Sequence, residues 1–149
     1  MTDLDLTITR VLDAPRELVF EVWTNPDHLA KWFGPSGFTA PSCTTKLVEG
    51  GGWRICIRSE AERMERWARG VYHEISRPER LVFSFAWEEP DGSLGHDTLV
   101  TIILADRDGK TEMTFHQAIF ETVEDRDGHM DGWRSAFDDL HTYLEESTR

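Results

Sequence analysis

The chain of 149 residues is 39% hydrophobic, 11% aromatic and 30% charged, which are values of a folded globular domain and exclude a disordered one. Its 16 Lys and Arg against 28 Asp and Glu give a formal net charge of −12, which argues against nucleic acid or an anionic membrane as partner, since both need clustered cations. No apolar run is long enough to span a bilayer and residues 1–10 lack the pattern of a signal peptide, so one cytoplasmic domain over residues 1–149 is expected.

Leu4, Leu6 and Ile8 alternate with Asp5, Thr7 and Thr9, which predicts a first strand over Leu4–Leu12. Asp13-Ala14-Pro15 then reads as a helix start, with Leu18, Val19, Val22 and Trp23 as the apolar face. Asn25-Pro26-Asp27 interrupts that helix and opens a second short one through Trp32, ended by Gly34-Pro35-Ser36-Gly37. From Phe38 the pattern becomes that of strands: Phe38–Val48, Trp53–Ser59, Trp67–Ile75, Leu81–Trp87, Thr98–Ala105 and Thr111–Phe120. Glu49–Gly52, the polar run Glu60–Met64, Arg77-Pro78-Glu79, Pro90-Asp91-Gly92 and Asp106–Gly109 separate them. A long helix is predicted over Arg126–Glu146, because His129, Met130, Trp133, Ala136, Phe137, Leu140, Tyr143 and Leu144 recur at steps of three and four. So wide an apolar stripe on a single long helix requires the sheet as its partner.

Motifs for chemistry are sparse. Cys43 and Cys56 lack metal-ligand spacing and are expected as reduced thiols in strands, ahead of a disulfide between neighbouring strands. His28, His73, His96, His116, His129 and His141 form no HExxH or His-x-His pattern, so neither a metal nor an organic cofactor is expected. His129, four residues before Trp133, is a candidate polar anchor or general base at a cavity mouth; the blander alternative, a hydrogen bond from the start of the helix to a neighbouring loop, outweighs it. His116 is expected to face solvent. Adjacent carboxylates such as Glu88-Glu89 and Asp138-Asp139 diverge, and no GxSxG elbow or phosphate loop occurs. Arg54 and Arg69, beside apolar strand faces, could hold an acidic ligand, but are more usually solvated or paired with carboxylates of the sheet.

The residues from Ala14-Pro15 through Phe20, Trp23, Pro26, Leu29 and Trp32-Phe33 to Gly34-Pro35 resemble the opening of the activator of heat-shock protein 90 ATPase homologue-like family. Gly51-Gly52-Trp53-Arg54, Arg69-Gly70-Val71-Tyr72, Pro78–Phe83 and His129–Trp133 continue the resemblance in order along nearly the whole chain. Two departures are Trp32-Phe33, where relatives often have two tryptophans, and the polar Ala61–Glu65, where they commonly have a glycine-containing turn. The family lies in the START and Bet v 1-like (SRPBCC) superfamily. The resemblance implies an α+β helix-grip fold: a curved antiparallel sheet of six to seven strands around the long C-terminal helix, with two short helices after the first strand. It does not decide function, since the superfamily includes small-molecule binders, cyclase-like proteins and co-chaperone domains.

In a helix grip the aromatic residues converge between sheet and helix. The candidate cavity therefore comprises Trp32, Phe33, Trp53, Ile55, Val71, Phe83, Phe85, Phe115, His129, Trp133 and Phe137, unless these side chains fill the space completely. The leading expectation is a binder of an apolar or aromatic small molecule, not demonstrably an enzyme. A chaperone- or stress-related interaction module is the alternative, and a cyclase- or hydrolase-like enzyme the second. An exposed strand edge leaves room for a homodimer.

Overall fold

The computed structural model describes residues 4–35 and 37–147. In chain order its elements are β1 (Leu6–Leu12), α1 (Arg16–Thr24), α2 (Pro26–Trp32), β2 (Thr39–Thr45), β3 (Gly52–Ser59), β4 (Met64–Ser76), β5 (Arg80–Trp87), β6 (Thr98–Arg107), β7 (Lys110–Ala118) and α3 (Val123–Ser147). Seven strands form one antiparallel sheet in the order β1-β7-β6-β5-β4-β3-β2. The strands β1 and β2 are thus opposite edges, and α1 and α2 carry the chain across from one to the other. The sheet curls around α3, as the helix-grip expectation requires.

Local chemistry explains most boundaries. Leu6, Ile8 and Leu12 of β1 are buried while Val11 is exposed, the alternation of a one-sided strand. The Asn25 side chain caps α2 by accepting the Asp27 amide N–H at 2.9 Å, with Pro26 at the first helical position. The long helix begins three residues before the expected Arg126. Thr122 Oγ1 accepts the amide N–H of Asp125 at 3.1 Å, and Glu124 and Asp125 lie at the positive end of the helix. The strand β2 is shorter than Phe38–Val48 at both ends, where the Phe38 amide turns to Pro35 O and the Val48 amide to Lys46 O. Inside it the pairing with β3 is irregular between Thr39 and Ser42, where Pro41 has no N–H to donate. In contrast β4 is longer than expected and absorbs the end of the polar run at Met64.

Trp133, Ala136, Phe137, Leu140 and Leu144 form the buried stripe of α3. Trp23 of α1 is the hub of the core, with ring centroids 4.7 Å from Trp32, 6.4 Å from Phe83, 6.1 Å from Phe115 and Trp133, and 6.0 Å from Phe137. Each of the six indole N–H groups has an acceptor: Met113 Sδ for Trp23, Val22 O for Trp32, Ser84 O for Trp53, Glu65 for Trp67, His129 for Trp87 and Gln117 for Trp133. An unsatisfied indole donor in this interior would offset much of the gain from burying the ring. At residue 70 a Cβ would collide with the Ser84 carbonyl oxygen that the Trp53 indole uses, so only glycine permits β4 and β5 to approach so closely.

The outer face of the sheet accounts for Arg54 and Arg69. Arg54 holds Glu88 through two hydrogen bonds of 2.6 and 2.9 Å and lies over the Trp67 ring at 3.8 Å, and Arg69 stands 4.0 Å from the same carboxylate. Both are partnered on the face away from α3, the reading favoured from sequence. The two cysteines are free. Cys43 is opposite Ile55 and Cys56 opposite Ser42, which puts their side chains on opposite faces of the β2–β3 pair and excludes a bond between them. Burial pushes the Cys43 thiol up to about 11, away from thiolate reactivity. No helix is long and apolar enough to cross a membrane, among the described residues.

Candidate ligand cavity

The interior between sheet and α3 is divided in two. Its C-terminal part, beside Phe137, Leu140 and Leu144, is solid core. Beside the N-terminal part of α3 lies a cavity of about 450 Å³ that opens past the exposed residues Glu89, His96, Glu121 and Glu124. Phe33, Phe38, Ile57, Phe85, Trp87, Phe120 and Trp133 form its apolar wall, and Arg66 enters from β4. A volume of this size suits a small organic molecule.

Local sequence explains why this half stays open. Gly128 and Gly132 face the cavity one helical turn apart, and a Cβ on either would meet nothing within 4 Å. No packing demand requires glycine there, although each glycine costs a helix interior up to about 1 kcal/mol relative to alanine. Gly34, in the loop after α2, contributes differently: its φ is +103°, and a Cβ would press within 3.3 Å of Ile57 Cγ2. It lets the loop bearing Phe33 and Phe38 turn close against β3.

A closed polar network lies behind the wall. An indole N–H can only donate, so the 3.0 Å contact from Trp87 Nε1 makes His129 Nε2 an acceptor. The proton of His129 is therefore on Nδ1, which donates to Gln117 Oε1 at 3.2 Å. Trp133 Nε1 donates to the same oxygen at 2.8 Å. The Gln117 amide nitrogen donates to Thr98 Oγ1 at 2.8 Å, and that hydroxyl donates to Phe85 O at 2.7 Å. Two donor-only indoles thus fix a histidine tautomer and a glutamine orientation. Burial first, and the Arg66 guanidinium second, push the His129 imidazole down to about 4 against the opposing pull of Asp125. His129 is neutral near pH 7 and both its nitrogens are engaged.

The eleven sequence-predicted cavity residues separate into four groups. Phe33, Phe85, His129 and Trp133 line the cavity. Trp53, Ile55 and Phe83 instead border, with Phe33, a second hollow of only about 20 Å³, room for about one water. Trp32, Phe115 and Phe137 line neither space and are 2%, 0% and 0% exposed, so for these the filled-core alternative holds. Val71 is a correction: it is 40% exposed on the outer face of β4, and Ala68 and Tyr72 supply the inward positions. His129 is a second correction, since it lines the cavity but has no ring nitrogen free to orient a ligand or move a proton. It bonds strand residues, not a loop. His116 is not simply solvated; its Nε2 lies 2.9 Å from Asp5 Oδ2.

Sequence reasoning missed Arg66, Trp87, Phe120, Gln117 and the two helix glycines as parts of this site. Gln117 had a signal, because it continues the inward alternation Met113, Phe115, Gln117 and is 0% exposed. Gly128 and Gly132 had one too, sharing a face with His129 and Trp133. Arg66 adjoins a run that read as a polar connection, and nothing local marks it. Among the described residues no group of three His, Cys, Asp or Glu converges as metal ligands.

A curved antiparallel sheet gripping a C-terminal helix over an aromatic-walled cavity defines a helix-grip protein of the SRPBCC type. The chain belongs to the family described as Activator of Hsp90 ATPase homolog 1-like protein, whose model matches residues 13–145. A protein from Nitrosomonas europaea is 21% identical, with a TM-score of 0.84, over 99% of this chain and 98% of its own. One from Chromobacterium violaceum is 25% identical, with a TM-score of 0.83, over 95% and 96%. An AHSA1 protein from Silicibacter pomeroyi is 21% identical, with a TM-score of 0.85, over 96% and 99%. The first and third likenesses show the fold alone. The comparison with curated proteins gives no match.

Proposed function

We propose that the protein binds a small, flat, largely apolar molecule in the cavity between the N-terminal part of α3 and the sheet. The observation that carries this reading is a cavity of about 450 Å³ walled by aromatic rings whose polar edges are satisfied behind the wall, so that apolar faces meet the guest. Burying about 200 Å² of apolar ligand surface contributes roughly 5 kcal/mol, which the loss of translational freedom partly offsets. The wall thus supplies weak affinity on its own, and polar groups at the mouth set selectivity. Both nitrogens of His129 are engaged, and His96, the second imidazole, sits exposed at the rim against the Ile119 carbonyl and Glu121, away from the aromatic wall, so the reading is binding without chemistry. The family's description keeps an interaction module as the second reading, and that function would use the outer surface and be indifferent to the cavity.

The test is Gly132→Leu. The new side chain leaves α3 into open space, and leucine is a better helix former than glycine by roughly 0.5–1 kcal/mol. The melting temperature should hold or rise while the thermal shift produced by 2-naphthalenemethanol on the wild-type protein disappears. A variant that is equally stable and still binds the alcohol as wild type does would remove the cavity as the site. Binding by neither protein would leave the interaction module as the leading function.

A further inference from the structure

We propose that the cavity selects its guest as an anion, an apolar or aromatic carboxylic acid whose carboxylate is held by Arg66 at the mouth. This rests on the binding reading above and adds the chemical class of the ligand.

Arg66 lies opposite Ile57 across β3 and β4, on the inward side of the sheet. Its Cζ is 3.9 Å from the centroid of the Trp87 ring. A cation–π contact of this kind consumes none of the five guanidinium N–H donors as hydrogen bonds. No described residue gives it a hydrogen bond or ion pair, and solvent reaches it through the cavity opening. Most described arginines are paired. Carboxylates outnumber cations 28 to 16, and Arg10, Arg54, Arg58, Arg77 and Arg80 each stand within 3.2 Å of one. An arginine left unpaired among such an excess of acids, fixed on an aromatic wall, is a preformed fork for a carboxylate. Burial also lowers the affinity of Arg66 for its proton, the direction an arriving anion reverses.

The other titratable groups at the mouth are Glu89, Glu121, Glu124, Asp125 and His96. Glu121 faces His96 at 3.8 Å, and Glu124 and Asp125 occupy the first turn of α3, where the amide N–H groups attract them. Glu89 is the carboxylate that acts on Arg66, without an ion pair between them. Arg66 is the one arginine or lysine at the mouth, its forked donors face the apolar cavity, and a ligand carboxylate there gains them. A ligand amine would instead be drawn to the carboxylates of the rim and away from the wall that Arg66 shares with Trp87.

The experiment compares 2-naphthoate, 2-naphthalenemethanol and 2-naphthylmethylamine by calorimetric titration at pH 7. They share one ring system and differ in charge. Wild-type protein should bind the acid about tenfold or more tighter than the alcohol, the usual gain from a charge-assisted hydrogen bond, and the amine weakest. Arg66→Gln should bring the acid-to-alcohol ratio close to one, and Arg66→Lys should keep part of it. Because the readout is a ratio, damage to cavity shape that weakens both probes alike is not mistaken for a lost anchor. Amine binding tightest, or a ratio unchanged in Arg66→Gln, would overturn the anionic assignment and leave the cavity reading intact. Failure of all three probes to bind wild-type protein would overturn both.

Discussion

Trp133→Ala should lower the free energy of unfolding by about 3–5 kcal/mol, the usual cost of truncating a buried large aromatic side chain. Trp133 is 6% exposed, with ring centroids 4.7 Å from Phe115, 5.4 Å from Phe33, 5.7 Å from Phe137 and 5.9 Å from Phe85. Its loss would also take one of two donors from the buried Gln117 Oε1. One edge borders the cavity, so the enlarged space should fill with water and the affinity for apolar probes should fall as well. Urea denaturation beside wild type measures the first effect. A loss below about 1 kcal/mol would mean that the ring is not held as described.

Stability should also decline as pH falls from about 6.5 to about 4, because of His129. An unfolded histidine binds a proton near 6.5, whereas the folded one stays neutral down to about 4. The contribution is therefore complete above the unfolded value and is lost on the way down to the folded one. It amounts to at most about 3 kcal/mol, since each pH unit of separation corresponds to about 1.4 kcal/mol. The molecular event is specific: a proton on Nε2 would turn the acceptor for Trp87 into a donor facing a donor. Glu21 and Glu88, held below the usual carboxylate range chiefly by hydrogen bonds from Asn25 and Arg54, begin to lose stabilisation only at the bottom of this window and go on losing it below. The comparison must therefore be with His129→Gln across the pH range. The stability difference between the two proteins should shrink from pH 7 to pH 4, and a constant difference would contradict the network.

The fold was legible because its signals are local. Alternation in β1, β3, β6 and β7, the Asn25-Pro26 break and the stripe of α3 each depend on neighbouring residues alone. The division of the interior was not, because an inward position can be core or cavity. Phe115 and Phe85 both face inward, yet only Phe85 reaches open space. What decides is the taper of α3 from Gly128 and Gly132 at one end to Phe137 and Leu140 at the other. Val71 was misplaced since both faces of β4 carry apolar residues, Trp67 and Val71 against Ala68 and Tyr72, and pairing with β5 shifts between Tyr72 and Glu74. The role of His129 could not be read because its partners Trp87 and Gln117 come from β5 and β7.

The six indole N–H groups supply the most direct measurement, as each gives its own signal in a nitrogen–proton correlation spectrum. On titration with 2-naphthalenemethanol, the Trp87 and Trp133 signals should move, since both rings form the cavity wall. Trp32, closed in the core, and Trp67, on the outer face, should stay in place. Movement confined to Trp67, or movement of none at saturating probe, would contradict a ligand site between α3 and the sheet.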